Sequence, residues 1–198
     1  MNRISPSKSL LLSLFFLMMT VGFITSSLAA PLYTPPSGVL GALALCTVDG
    51  TDLESDRTNS SNIEPPPIEL LEFSHQMAMR VDQPGRIDLA RGVSYQPVKF
   101  VKRIDKTSPL LYKALTLNQP IDCTIRFYRQ NNIDGGAEQY YTIELLGGRV
   151  STISHDHPSS LTYQTASRSS VEIVSLVFQN ISWTYESGGA QTQATVFR

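Results

Sequence analysis

Cysteine is nearly absent from this 198-residue chain, which holds only Cys46 and Cys123. One potential bridge cannot make a disulfide-stapled scaffold, so the fold must rest on a hydrophobic core. Histidine is scarce, at three residues, and tryptophan occurs once. Strong charge of either sign is also missing: 16 basic residues stand against 17 acidic ones, a net charge of −1. A chain so balanced lacks the basic face that nucleic acid or an anionic membrane surface selects, so neither is expected as a partner. No G-x-S-x-G, no glycine-rich phosphate loop and no C-x-x-C appears, which removes the commonest signatures of serine hydrolases, nucleotide binding and thiol redox chemistry. No cofactor is implied, no enzyme is expected, and no segment repeats at a fixed period.

What is present begins with an N-terminal export pattern. Met1 to Lys8 carries Arg3 and Lys8 and no acid, and Leu10 to Thr25 is uncharged. Ser27-Leu28-Ala29-Ala30 follows, with Ser27 at −3 and Ala29 at −1 for cleavage before Ala30. Residues 1–29 therefore read as a signal peptide. The apolar run is shorter than the roughly 20 residues a comfortable membrane span needs; an uncleaved N-terminal anchor is the alternative. The expected location is exported, periplasmic or secreted, with no stable membrane insertion once the signal is cut. The remainder is long enough for one core and too short for two comfortable domains.

Residues 30–41, with Pro31, Pro35, Pro36 and Gly38, read as a loose arm, and residues 42–187 as the folded domain. Ala42 to Asp49 is a short apolar run ending at the turn signal Asp49-Gly50. Thr51 to Pro67 is polar and ends in three prolines, which reads as a long exposed loop. Ile68 to Met79 alternates as one half-buried strand with Leu71, Phe73, His75, Met77 and Met79 on one face. Val81 to Pro97 reads as loop. Val98 to Ile104 reads as a strand with Val98, Phe100 and Ile104 facing one way, Lys99 and Arg103 the other.

One helix is expected. Ser108 reads as its N-cap, Pro109 suits the first position, and Leu110, Leu111, Ala114 and Leu115 form an apolar stripe. Asn118 and Pro120 end it. So short a helix must dock on a sheet to persist in water. Strands follow: Ile121, Cys123, Ile125 and Phe127 inward, then Tyr141, Ile143 and Leu145, a Gly147-Gly148 turn and a partner strand from Arg149 to Ser154. Val171 to Phe178 and Ile181 to Glu186 close the set. Residues 188–198 read as a C-terminal tail. The class is mainly β, a barrel or sandwich with a single helix.

Candidate chemistry is thin. His155 and His157 could face one way on a strand and bind zinc or copper, but no third ligand is placed by spacing. Pro158 and the serines around them read as exposed loop, so no metal site is expected. His75, between Phe73 and Met77, reads as a core or interface histidine. Cys46 and Cys123 both fall on inward positions. If their strands are neighbours an oxidising compartment joins them; otherwise they are two buried thiols. Asn59 and Asn180 stand in glycosylation sequons that read as incidental.

The segment Phe100 to Leu111 resembles the K-x-x-D-x-x-S-P-x-L signature of the Hcp family, the tube protein of bacterial type VI secretion systems. The matching residues are Lys102, Asp105, Ser108, Pro109 and Leu111. Further resemblances run in order: Val48-Asp49-Gly50 with Glu54-Ser55, Ile68 to Ser74, Ile121 to Arg129, Tyr140 to Val150 as a hairpin, and Val174 to Phe178 with Ile181 to Tyr185. The resemblance implies a compact two-sheet β-barrel with one short docked helix. It also implies assembly as a six-membered ring that can stack into a tube, and carriage or chaperoning of small effector proteins. Catalysis is no part of that role. The usual members carry no cleavable signal, and here one is read. The first expectation is an exported, self-assembling, non-enzymatic Hcp-like protein. An exported monomeric binding module that kept the fold and lost the assembly is the second. A metal-dependent enzyme at His155 and His157 is a distant third.

Overall fold

The computed structural model describes residues 41–56, 65–81, 85, 92–131, 135–159 and 169–196. Residues 1–29, read as a signal peptide, and almost all of residues 30–41, read as an arm, lie outside the described residues.

Alternating apolar residues build a barrel that closes on itself. The strands are β1 (Ala42–Val48), β2 (Thr51–Asp52), β3 (Ile68–Ser74), β4 (Met77–Met79), β5 (Val93–Tyr95) and β6 (Val98–Arg103). The helix α1 (Thr107–Thr116) precedes β7 (Ile121–Gln130), β8 (Ala137–Asp156), β9 (Val171–Val177), β10 (Asn180–Tyr185) and β11 (Ala190–Thr195). Neighbours run β8-β7-β1-β3-β6-β9, and β9 pairs β8 again, so six strands close a ring. Closure removes the free sheet edges that six open strands would expose. β10 and β11 extend the sheet from the first half of β8, while β4 and β5 form a separate two-stranded ribbon.

The closure depends on two glycines. β8 is one strand of 20 residues: its first half pairs β7 and β10, its second half pairs β9. The hairpin expected at Gly147-Gly148 is therefore absent, and the two glycines sit inside a strand that turns a barrel corner. Gly147 has φ +63°, and a Cβ at Gly148 would stand 2.7 Å from the Ile121 carbonyl and 3.0 Å from the Val177 carbonyl. Only hydrogen at that position lets β7 and β9 approach the same point of β8.

The core is filled from every wall. Ala44, Cys46, Ile68, Leu70, Val98, Phe100, Ile121, Ile125, Leu145, Val174 and Leu176 are all buried, with Leu111 and Ala114 of α1 added to them. The alternation of Ile121, Cys123 and Ile125 is inward as read. Cys46 and Cys123 are direct register partners on β1 and β7, their Cα atoms 4.1 Å apart, and a disulfide joins them.

Several local expectations are corrected. Ile68 to Met79 is two strands: a bulge between Leu70 and Glu72 shifts the register, so Ile68 and Leu70 are buried while Leu71, Met77 and Met79 are exposed. Leu53 and Ser55 are buried within the stretch read as exposed loop, and β2 lies there too. β5 falls in the loop read between Val81 and Pro97. Leu110 is exposed, so the helix stripe is narrower, carried by Leu111 and Ala114 with Leu115 against them. In the stretch read as a tail, Ala190–Thr195 pairs β10 along its whole length.

Candidate functional site

The signature residues meet at the barrel end of α1. Lys102, on β6, is completely buried, because its position keeps phase with Val98 and Phe100. Directly opposite, on β9, stands Glu172, in phase with Val174 and Leu176 and equally buried. Lys102 Nζ lies 2.7 Å from Glu172 Oε1. It also reaches Asp105 Oδ1 at 2.9 Å, Ser108 Oγ at 3.0 Å and the Arg103 carbonyl at 2.8 Å. The Ser108 hydroxyl donates to Glu172 Oε1 at 2.7 Å and accepts from the Asp105 amide. An ammonium removed from water needs such a set of acceptors, since a buried unpaired charge costs several kcal/mol, or about 3–5 when one partner of a pair is lost.

Asp105 couples this cluster to the helix. Its Oδ1 accepts from the Thr107 amide at 2.9 Å and from the Thr107 hydroxyl, holding the first turn. Ser108 is consequently not the N-cap: it lies inside the helix, buried, and is used by the Lys102–Glu172 pair. Leu111 is fully buried one turn on, while Pro109 is exposed. Three of the five signature residues, Lys102, Asp105 and Ser108, thus form one connected latch between β6, α1 and β9, while Leu111 packs in the core and Pro109 lies exposed in the first turn of the helix. Lys106 adds a surface tie, its amide bonded to Asp56 Oδ2 at 2.9 Å.

Glu172 was not among the residues singled out from the sequence. Its signal was an acid at an inward position of an otherwise apolar strand, matched by the inward phase of Lys102. Either alone looks like a charged residue on a strand; together they define a pair.

Away from the latch, the β4–β5 ribbon displays apolar side chains. Met77 is 42% exposed, Met79 47%, Val93 37%, and Val81 just beyond β4 63%. His75 lies at its root, half-buried, its ring 5.5 Å from Phe178 and 6.3 Å from Trp183. Burial lowers its pKa from the usual 6.5, against a smaller upward pull from a hydrogen bond with the Gln96 backbone. At the far end of β7 and β8, Arg129 lies over the Tyr140 ring, bonds Glu138 at 2.6 Å and reaches Tyr185 at 3.3 Å.

His155 and His157 come at the end of β8 and just after it, both exposed. His155 is opposite Glu172 in register, and the His157 ring meets the Ser170 hydroxyl. Among the described residues no group of three metal-ligating side chains converges. No helix of the described residues is long and apolar enough to cross a membrane.

A closed six-strand barrel, one helix latched to it by a buried ion pair and a ribbon standing beside it define a small β-barrel module whose polar interior is spent on holding the helix. The chain belongs to the family described as "Type VI secretion system effector, Hcp", whose sequence model matches residues 59–185. Its fold is similar to that of a crystal structure of an Hcp protein, with a TM-score of 0.72 at 19% identity, covering 81% of this chain and 99% of that one. It is also similar to a mutant Hcp1 protein of the E. coli EAEC 042 pathovar, with a TM-score of 0.68 at 21% identity over 79% of this chain and 99% of that one. Likeness to the secreted protein Hcp3 of Pseudomonas aeruginosa gives a TM-score of 0.60 at 22% identity over 81% and 100% of the two chains. An uncharacterized protein of Escherichia coli (strain K12), YhhZ, is 36% identical over 64 residues, which is 32% of this chain and 16% of that protein.

Proposed function

We propose that this protein is an exported, non-enzymatic Hcp-type subunit that associates with its own copies into a ring of six. Stacking of those rings into a tube and carriage of small effector proteins are the roles that follow from the family. The observation that carries the reading is the row of exposed apolar side chains on the β4–β5 ribbon, Met77, Met79, Val81 and Val93. A water-facing apolar strip of this kind on a small domain marks a surface that another protein covers. Leu110 and Tyr112 of α1 and Leu117 just after it are exposed as well.

The export half of the proposal rests on residues 1–29 and their cleavage before Ala30. Membership of the family is compatible with release from the cell, and the signal offers a route through the general export path. That same signal favours a second reading, the exported monomeric binding module, because the usual members do not need it.

One measurement separates the two. The mature protein at tens of micromolar is expected to have six times the chain mass by light scattering, and Met79→Asp with Val81→Asp is expected to reduce it. A monomer at all concentrations would end the ring reading and leave the binding module. N-terminal sequencing of the exported protein is expected to begin at Ala30, and an intact Met1 would refute cleavage.

A further inference from the structure

His75 occupies one of the two short links between the barrel wall and the ribbon: β3 ends at Ser74 and β4 begins at Met77, while β5 ends at Tyr95 and β6 begins at Val98. The antiparallel β4–β5 ladder knits the ribbon itself, and backbone hydrogen bonds from Gln96 to Gln76 at 3.0 Å and from Arg80 to Gly92 at 3.1 Å flank it at its two ends. What attaches its root to the barrel is aromatic packing. His75 stacks on Trp183 of β10 at an interplanar angle of 24° and meets Phe178 edge-on, and Tyr95 of β5 meets the same Phe178 ring at 6.4 Å. The Nε2 atom of His75 is buried and has no hydrogen-bond partner among the described residues.

We propose that His75 is a proton-operated hinge pin: neutral, it docks the β4–β5 ribbon against Phe178 and Trp183, and protonated, it releases the ribbon. The physical reason is the unpartnered Nε2. A neutral imidazole leaves only an unused lone pair there, which an apolar cage tolerates at modest cost. Protonation converts that atom into a charged donor with nothing to accept from it, so the ring must leave the cage for water.

Charged neighbours do not alter this balance. Among the described residues, the titratable groups on the surrounding elements are Glu69 and Glu72 on β3, Arg80 after β4, Tyr95 on β5, Lys99, Lys102 and Arg103 on β6, Glu172 on β9, Tyr185 on β10 and Glu186 beyond it. None acts on the imidazole, whose protonation is governed by burial first and by the Gln96 backbone second. Glu172, on β9, is engaged by Lys102. The sign follows. Undocked, the ring titrates near its ordinary 6.5; docked, below that value. The undocked form therefore binds more protons between the two values, and docking is fully favoured above about pH 6.5 and weakens as pH falls below it.

An effect of pH on ring assembly would rest on the proposed self-association. The hinge itself is a property of one chain and is tested there. Trp183 is the sole tryptophan, so its fluorescence reports on the stack directly. In the full mature protein, lowering pH from 7.5 to 5.5 is expected to change Trp183 emission in a single transition below pH 6.5. Over the same range the released ribbon, a two-stranded hairpin with no support from the barrel, is expected to fray, so that the Arg80 and Gln96 amides lose protection from hydrogen exchange by up to about tenfold after correction for intrinsic rates, the ceiling set by a pH one unit below 6.5. His75→Phe keeps a flat ring in the cage and is expected to abolish both changes. Persistence of both in that variant, or their absence from the natural protein, would overturn the hinge. A direct NMR titration of the His75 ring needs no variant: a pKa below 6.5 is expected, and one at or above 6.5, as a cation stacked favourably on Trp183 would give, overturns the proposal. A monomer that shows the transition sinks only the ring; a hexamer without it sinks only the hinge.

Discussion

Lys102 and Glu172 face each other across β6 and β9, 70 residues apart in sequence, with Nζ and Oε1 at 2.7 Å and both side chains about 1% exposed. Each charge is expensive to bury and each makes the other tolerable. Because Ser108 and Asp105 share the same ammonium, the pair also fixes where α1 begins. A helix of ten residues has too few turns to hold itself, so a buried latch at its first turn sets its seat on the barrel.

Removing one member is expected to be costly. Lys102→Met leaves the Glu172 carboxylate buried without its cation and should lower stability by about 3–5 kcal/mol. Lys102→Met combined with Glu172→Leu replaces the pair by apolar bulk and should recover a large part of that loss. Urea unfolding of the three proteins checks both statements, and a single substitution that costs under about 1 kcal/mol would show that water reaches the cluster.

The disulfide makes stability redox-dependent. Cys46 and Cys123 close a loop of 77 positions, for which the chain-entropy account gives about 4 kcal/mol. Denaturation with and without a reductant is the measurement. The reduced protein is expected to unfold at clearly lower denaturant, and superimposable curves would mean that the bridge constrains nothing. Both cysteines lie in the core at 3% exposure, so reduction is expected to need prior opening of the barrel.

Gly148 tests the corner. Its missing Cβ leaves room for two carbonyls, from Ile121 and Val177, and Gly148→Ala forces one of them away. The expected loss is about 1–3 kcal/mol, in the range of overpacked sites. Thermal unfolding is the measurement, and a loss under about 0.5 kcal/mol, the range of ordinary surface substitutions, would remove the corner argument.

Much of the barrel was legible as period-two alternation. β1 and β7 fall where their apolar phase puts them, because a strand with one face in a core has no other register available, and β9 and β10 fall where strands were read. The failures have one cause in common. At Ile68 to Met79 a bulge after Leu70 breaks the phase, and of the face read there Leu71, Met77 and Met79 are exposed while Phe73 still packs on the core. At Gly147-Gly148 the residues of a turn serve as a strand corner, since paired glycines permit either and only the neighbouring backbones choose. Ser108 matched a cap by type, but Asp105 reaches the Thr107 amide first and leaves Ser108 to the ion pair.

Lys102 shows most clearly how the two sources of information divide. Composition and spacing by themselves determined the β class, the single helix, the inward phase of Cys46 and Cys123, and a run of residues from Lys102 to Leu111 with a family resemblance. The alternation read over Val98 to Ile104 leaves Lys102 unplaced, and the structure buries it in phase with Val98 and Phe100 while Ile104 is exposed. Only the tertiary structure decided what Lys102 is for, because its partner Glu172 comes from a strand 70 residues away. Local pattern can set the phase of a strand; which charges meet inside depends on the order in which the strands close.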